Sequence, residues 1–86
     1  MKIKKGLILR SVGGENVVVP VGEMSKQVHG MITLNETGAF LWRFFTEEHT
    51  AEEAVAALLA EYDVAEDIAR NDVEKFVETI SNGFAE

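Results

Sequence analysis

An α+β fold, three short strands followed by three helices, is predicted by two features of this chain. The hydrophobic pattern changes period at Leu34, from short β-branched runs to apolar residues recurring at helical spacing. A pair of glycines, Gly13-Gly14, divides the first two apolar runs, and a capping signature at Thr50 opens the later helical half. Strands gathered at one end and helices at the other are the mark of segregated α+β layers. At 86 residues the chain is expected to form a single domain spanning 1–86.

The elements follow in order. Leu7 to Val12 and Val17 to Val21 are rich in Val, Ile and Leu, and the Gly13-Gly14 turn between them predicts an antiparallel hairpin. Pro20 cannot donate to a ladder, so it belongs at an edge or a strand end. Residues 22–29, GEMSKQVH, are polar and read as a loop, and Met31 to Leu34 reads as a third short strand. Asn35 is placed to cap a helix running to about Phe45, with Phe40, Leu41, Phe44 and Phe45 on one broad face. Gly38 inside that helix costs about 1 kcal/mol relative to Ala, so it marks a close approach, expected from the preceding sheet. Thr50-Ala51-Glu52-Glu53 is a capping box, and Ala54, Val55, Leu58, Leu59 and Tyr62 form the stripe that follows it. The last helix covers about Glu66 to Asn82, burying Ala69, Val73, Phe76, Val77 and Ile80, with acids in its first turn and Gly83 past its end. The result is β-β-β-α-α-α, a three-stranded antiparallel sheet packed on three helices, with a winged helix-turn-helix-like topology.

Charge is unevenly distributed. Residues 1–30 carry a net +3 and residues 31–86 a net −10. An acidic helical half repels phosphate backbones, which argues against nucleic acid as a partner. It suits a basic partner, or serves solubility. The chain has no cysteine, so neither disulfides nor thiolate sites are expected. The run Leu7-Ile8-Leu9 is too short for a signal-peptide core, and no segment has the ~20 apolar residues of a membrane span. A soluble, cytoplasmic protein without membrane attachment is the expectation.

Motifs for chemistry are missing from the sequence. His29 and His49 are far apart and sit in or beside loops, where exposed side chains are expected. No HExxH, CxxC, EF-hand, P-loop or GxGxxG spacing occurs, so no metal or other cofactor is expected. The serines lack a nucleophile-elbow context and no acid–base set can be assembled, which argues against catalysis. Four of the seven aromatics cluster at Phe40, Trp42, Phe44 and Phe45. Trp42 is expected to pack on the flank of the first helix, near the sheet, rather than to bind a ligand.

Backbone recognition remains. A short third strand at a sheet edge presents unpaired amides and carbonyls to an extended segment of a partner. Along it Met31 and Thr33 alternate with Ile32 and Leu34. With Ile32 and Leu34 on the core face, Met31 and Thr33 face outward, and Met31 is an adaptable contact for a variable peptide.

The residues MITLNETGAFLWRFF, the T-x-E-E helix start, LLAEYDV and DVEKFVETI together resemble the family of coenzyme PQQ synthesis protein D, whose fold recurs as the precursor-peptide recognition element of ribosomal peptide pathways. The resemblance covers about Lys4 to Phe84, with Leu34 to Ala39 its most specific part. It implies a non-catalytic peptide chaperone. Such proteins bind the leader of a precursor peptide as an added strand beside the third strand and third helix. They present it to a modifying enzyme, in PQQ synthesis a radical S-adenosylmethionine (radical SAM) enzyme. Carried onto this chain, the pairing segment is Val28, His29, Gly30, Met31, Ile32, Thr33 and Leu34. The helix contributes Ile68, Asp72, Lys75, Phe76 and Thr79, of which Phe76 also falls on the buried stripe and Ile68 sits off it. The resemblance identifies a module rather than a pathway. Two other readings share the topology: a winged-helix DNA-binding regulator, and a structural subunit that docks on an enzyme without binding peptide.

Overall fold

In the computed structural model, which describes residues 1–27 and 31–86, the chain runs β1 (Leu7–Val12), β2 (Glu15–Pro20), α1 (Met24–Gln27), β3 (Ile32–Leu34), α2 (Glu36–Phe44), α3 (Ala51–Glu61) and α4 (Glu66–Ile80). The three strands form one antiparallel sheet in the order β1-β2-β3. Gly13 and Gly14 both have positive φ, 58° and 85°, the geometry that lets a two-residue turn match the twist of its strands. Pro20 closes β2 opposite Leu7, at the strand end where its missing N–H matters least.

The register sorts the side chains. Leu9, Val18 and Ile32 lie in one row across the sheet on the core side, and Arg10, Val17 and Thr33 in the next row on the outer side. Ile32 and Leu34 accordingly pack against the core, while Thr33 is exposed and Met31 is 67% exposed. The alternation expected of β3 is therefore present.

The helices bury most of the stripes that their spacing predicts, except that Leu59 of α3 is 38% exposed. Leu41 and Phe45 of the α2 region, Ala54, Val55 and Leu58 of α3, and Ala69, Val73, Phe76 and Ile80 of α4 join Val18 and Leu7 in one core. Phe45 and Phe76 stack at 5.9 Å between ring centroids, and Phe40 meets Tyr62 edge-on at 5.6 Å. Thr50 and Glu53 form the reciprocal capping box, Glu53 N–H donating to Thr50 Oγ1 at 3.1 Å and Thr50 N–H donating to Glu53 Oε1 at 2.8 Å. The last helix ends at Ile80, two residues earlier than expected. A turn through Gly83, φ 110°, then lets Phe84 N–H donate to Ile80 O at 3.0 Å.

Several expectations need correction. Residues 22–29 are not wholly a loop, since α1 makes one helical turn there with Ser25 Oγ donating to Gly22 O at 2.7 Å. Trp42 is not on a flank: it is 2% exposed and belongs to the core. The two chain ends meet beside α2. Ile3 N–H donates to Phe45 O and Lys4 N–H to Phe84 O, each at 2.9 Å, while Glu86 N–H donates to Lys2 O at 2.8 Å. Ile3 and Phe84 thereby enter the same core cluster as Trp42. His49 is half-buried rather than an exposed loop residue, stacked on Phe44 at 4.0 Å with Nδ1 3.6 Å from Glu53 Oε1.

Removing the cap by Thr50→Ala is expected to cost about 1 kcal/mol. That lowers Tm by roughly 4–8 °C, which thermal unfolding followed through the single buried tryptophan would register. The Thr50 amide also holds the Glu53 carboxyl below its usual range. A lowered folded-state value means that this contribution is complete above the ordinary carboxylate range and is lost as pH falls through the lowered one. The stability gap between the wild type and Glu53→Ala should therefore close on acidification, in melts recorded across that range.

Candidate functional site

The strand β3 pairs with β2 on one side only and forms an edge of the sheet. In an antiparallel ladder alternate residues direct their N–H and C=O groups away from the neighbouring strand, so such an edge holds unpaired backbone groups. The chain then turns directly into α2. Asn35 adopts extended backbone and its Oδ1 accepts from Gly38 N–H at 2.7 Å, satisfying one orphan amide of the first turn. Gly38 is buried against the side chain of Leu34: a Cβ placed there would lie 3.2 Å from both Leu34 Cβ and Asn35 Oδ1. The close approach expected at Gly38 is thus real, though the neighbour is a strand side chain and the cap itself rather than another backbone.

This tight corner leaves a cleft of about 220 Å³ between β3, α2 and α4. Thr33 and Leu34 border it on the strand side, and the buried Leu41 and Phe76 underlie it. Asp72, Lys75 and Thr79 line it from α4. Four of the five α4 residues carried over from the family resemblance therefore share one cleft with Thr33 and Leu34. Phe76 serves two structures, since it is 6% exposed, stacks on Phe45 and also borders the cleft. Ile68 is 53% exposed and does not border the cleft. β3 begins at Ile32, one residue later than expected, so Met31 precedes the strand; both residues lie outside the cleft lining, while Val28, His29 and Gly30 fall outside the described residues. A second, shallower hollow shares Thr33, Leu34 and Asn35 and extends past the strand end to Gly14, Glu15, Asn16 and Glu36.

The α2 contribution to the cleft, Asn35, Thr37, Gly38 and Leu41, is absent from the sequence-derived set. The signal was present in part, because Asn35 reads as a cap and Gly38 as a contact point. Thr37 carries no signal in the sequence.

Charges around α4 divide into two kinds. Arg70 donates to Glu52 Oε1 at 2.5 Å and to Glu66 Oε2 at 3.2 Å, joining α3 to α4. Its hydrogen bond holds the Glu52 carboxyl below the usual range, and the same bond raises the guanidinium. Asp72 and Lys75, in contrast, have no ion-pair partner among the described residues. Among those residues no group of His, Asp and Glu is placed to hold a metal ion. No helix is long and apolar enough to cross a membrane.

The sequence profile of coenzyme PQQ synthesis protein D (PqqD) matches residues 15–82, most of the chain. The chain belongs to the PqqD family. No curated protein matches it significantly. Among solved structures, the PqqD-family fold seen here is similar to that of TbiB1, determined in complex with the TbiA(beta) leader peptide. The TM-score is 0.69 at 23% identity, with 100% of each chain covered. The α+β architecture, strands first and helices after, agrees with that likeness.

The corner at Gly38 makes a specific prediction. Gly38→Ala should yield none of the ~1 kcal/mol that the exchange gives in an open helix. The added methyl must displace Leu34 or the Asn35 cap. Thermal melts should show no gain in Tm, and the amide resonances of β3 should move.

Proposed function

We propose that this PqqD-family protein is a non-catalytic peptide chaperone. It binds the leader of a ribosomally made precursor as an added strand on β3, beside α4, and delivers it to a modifying enzyme in the cytoplasm. The radical SAM class is the enzyme partner that the family resemblance favours. The observation that carries the reading is the pairing of an edge strand with a part-apolar cleft directly beside it. Main-chain pairing along such an edge supplies affinity for any extended segment, and the cleft selects among side chains that point into it. The TbiB1 complex supports the reading, because a protein of similar fold was determined in complex with a leader peptide.

The charge of α4 weighs against the DNA-binding alternative. Glu66, Asp67, Asp72, Glu74 and Glu78 share the helix with two cations, of which Arg70 is already bound to Glu52 and Glu66. A recognition helix with that surface meets phosphates unfavourably.

Titration with synthetic leaders of short reading frames beside the gene, followed by amide shifts, tests the proposal. Shifts should concentrate in β3 and α4, with a Kd of roughly micromolar or tighter, about −8 kcal/mol. Shifts confined to the α2–α3 turn, with β3 and α4 unmoved, would overturn strand addition. Backbone N-methylation of the leader should separate the two residue parities. Methylation at positions whose N–H faces β3 should weaken binding about tenfold, and methylation at the alternate positions should leave it nearly unchanged.

A further inference from the structure

Resting on the peptide-binding reading, a finer assignment follows from the two unpartnered charges of the cleft. Asp72 is half-buried and Lys75 exposed, both border the cleft, and neither has an ion-pair partner among the described residues. They flank an apolar surface made by Leu34, Leu41 and Phe76. A segment lying over that surface removes water from both charges. A charge left dehydrated without a counter-ion costs far more than a formed pair gains, so the cleft discriminates chiefly by penalising peptides that leave either charge unmatched.

The surrounding field makes this selection sharper. Residues 31–86 carry a net −10, which draws basic peptides toward the helical side at long range. Lys75 opposes that attraction at contact, and Asp72 accepts it. A uniformly basic segment thus arrives readily but fits badly. The two positions are three residues apart on α4, about 4.5 Å of rise. Side chains on one face of an extended peptide repeat at about 6.6 Å, a difference that the flexible lysine stem spans. We propose that Asp72 and Lys75 read the order of charges along the peptide: a basic residue at the Asp72 end and an acidic one two positions away at the Lys75 end, beside an apolar residue seated on Leu34, Leu41 and Phe76.

The test is a charge swap. A display library of random short peptides is panned on the wild type and on the double variant Asp72→Lys with Lys75→Asp, which keeps the net charge. Wild-type selections should converge on a basic and an acidic residue two positions apart in one fixed order, and the swapped protein on the reverse order. Exchanging peptides between the two proteins should weaken binding about tenfold, an effect that shrinks with added salt. The single variants Asp72→Asn and Lys75→Gln, each of which should relax one peptide position, give the same readout should the double variant fold poorly. Selected peptides that move β3 and α4 amides but show the same charge order on every variant overturn this inference and leave strand addition standing. If no selected peptide moves those amides, both readings fall.

Discussion

The corner from β3 into α2 is the constraint on which the rest depends. Asn35 both ends the strand and caps the helix, and Gly38 lets Leu34 sit against the helix's first turn. With the side chain that would intervene removed, strand and helix stay close enough for Leu34, Leu41 and Phe76 to border one cleft. Phe76 in turn stacks on Phe45, so the surface beneath the cleft is the same packing that joins α2 to α4. The site is held by the core rather than by its own loops, and geometry of this kind is preorganised.

An edge strand is a hazard as well as an asset, because any extended chain can extend the sheet. Here β3 is only three residues long, Ile32–Leu34, so little backbone is open to indiscriminate pairing. Acidic helices beside it add repulsion between copies of the chain, with residues 31–86 at net −10. Arg70 contributes indirectly: by bridging Glu52 and Glu66 it fixes α3 on the start of α4 and takes no part in the cleft.

Most of the architecture was legible because it rests on local signals. The Gly13-Gly14 turn, the Asn35 cap, the Thr50 box and the stripes of α3 and α4 each follow from a few neighbouring residues. What escaped was non-local. The closure of residues 2–4 over Phe45, Phe84 and Glu86 is made by backbone groups far apart in the chain, which leave no side-chain pattern. Trp42, expected on a flank, is buried in the same core cluster as Ile3 and Phe84. The one turn of α1 has no buried residue and so no periodicity to reveal it. For the cleft, the α4 residues came from the family resemblance, and four of them, Asp72, Lys75, Phe76 and Thr79, border it. The contribution of α2 depends on how one helix crosses another, which spacing along a single helix does not encode. Ile68 shares the helical phase of Asp72 but is exposed and does not border the cleft.

The meeting of the two ends has a consequence of another kind. Ile3 and Ala85 form an antiparallel bridge, so the chain enters and leaves the domain one strand spacing apart. A unit with that layout can be spliced into a surface loop of a host protein without stretching the host, or reopened elsewhere after its ends are joined.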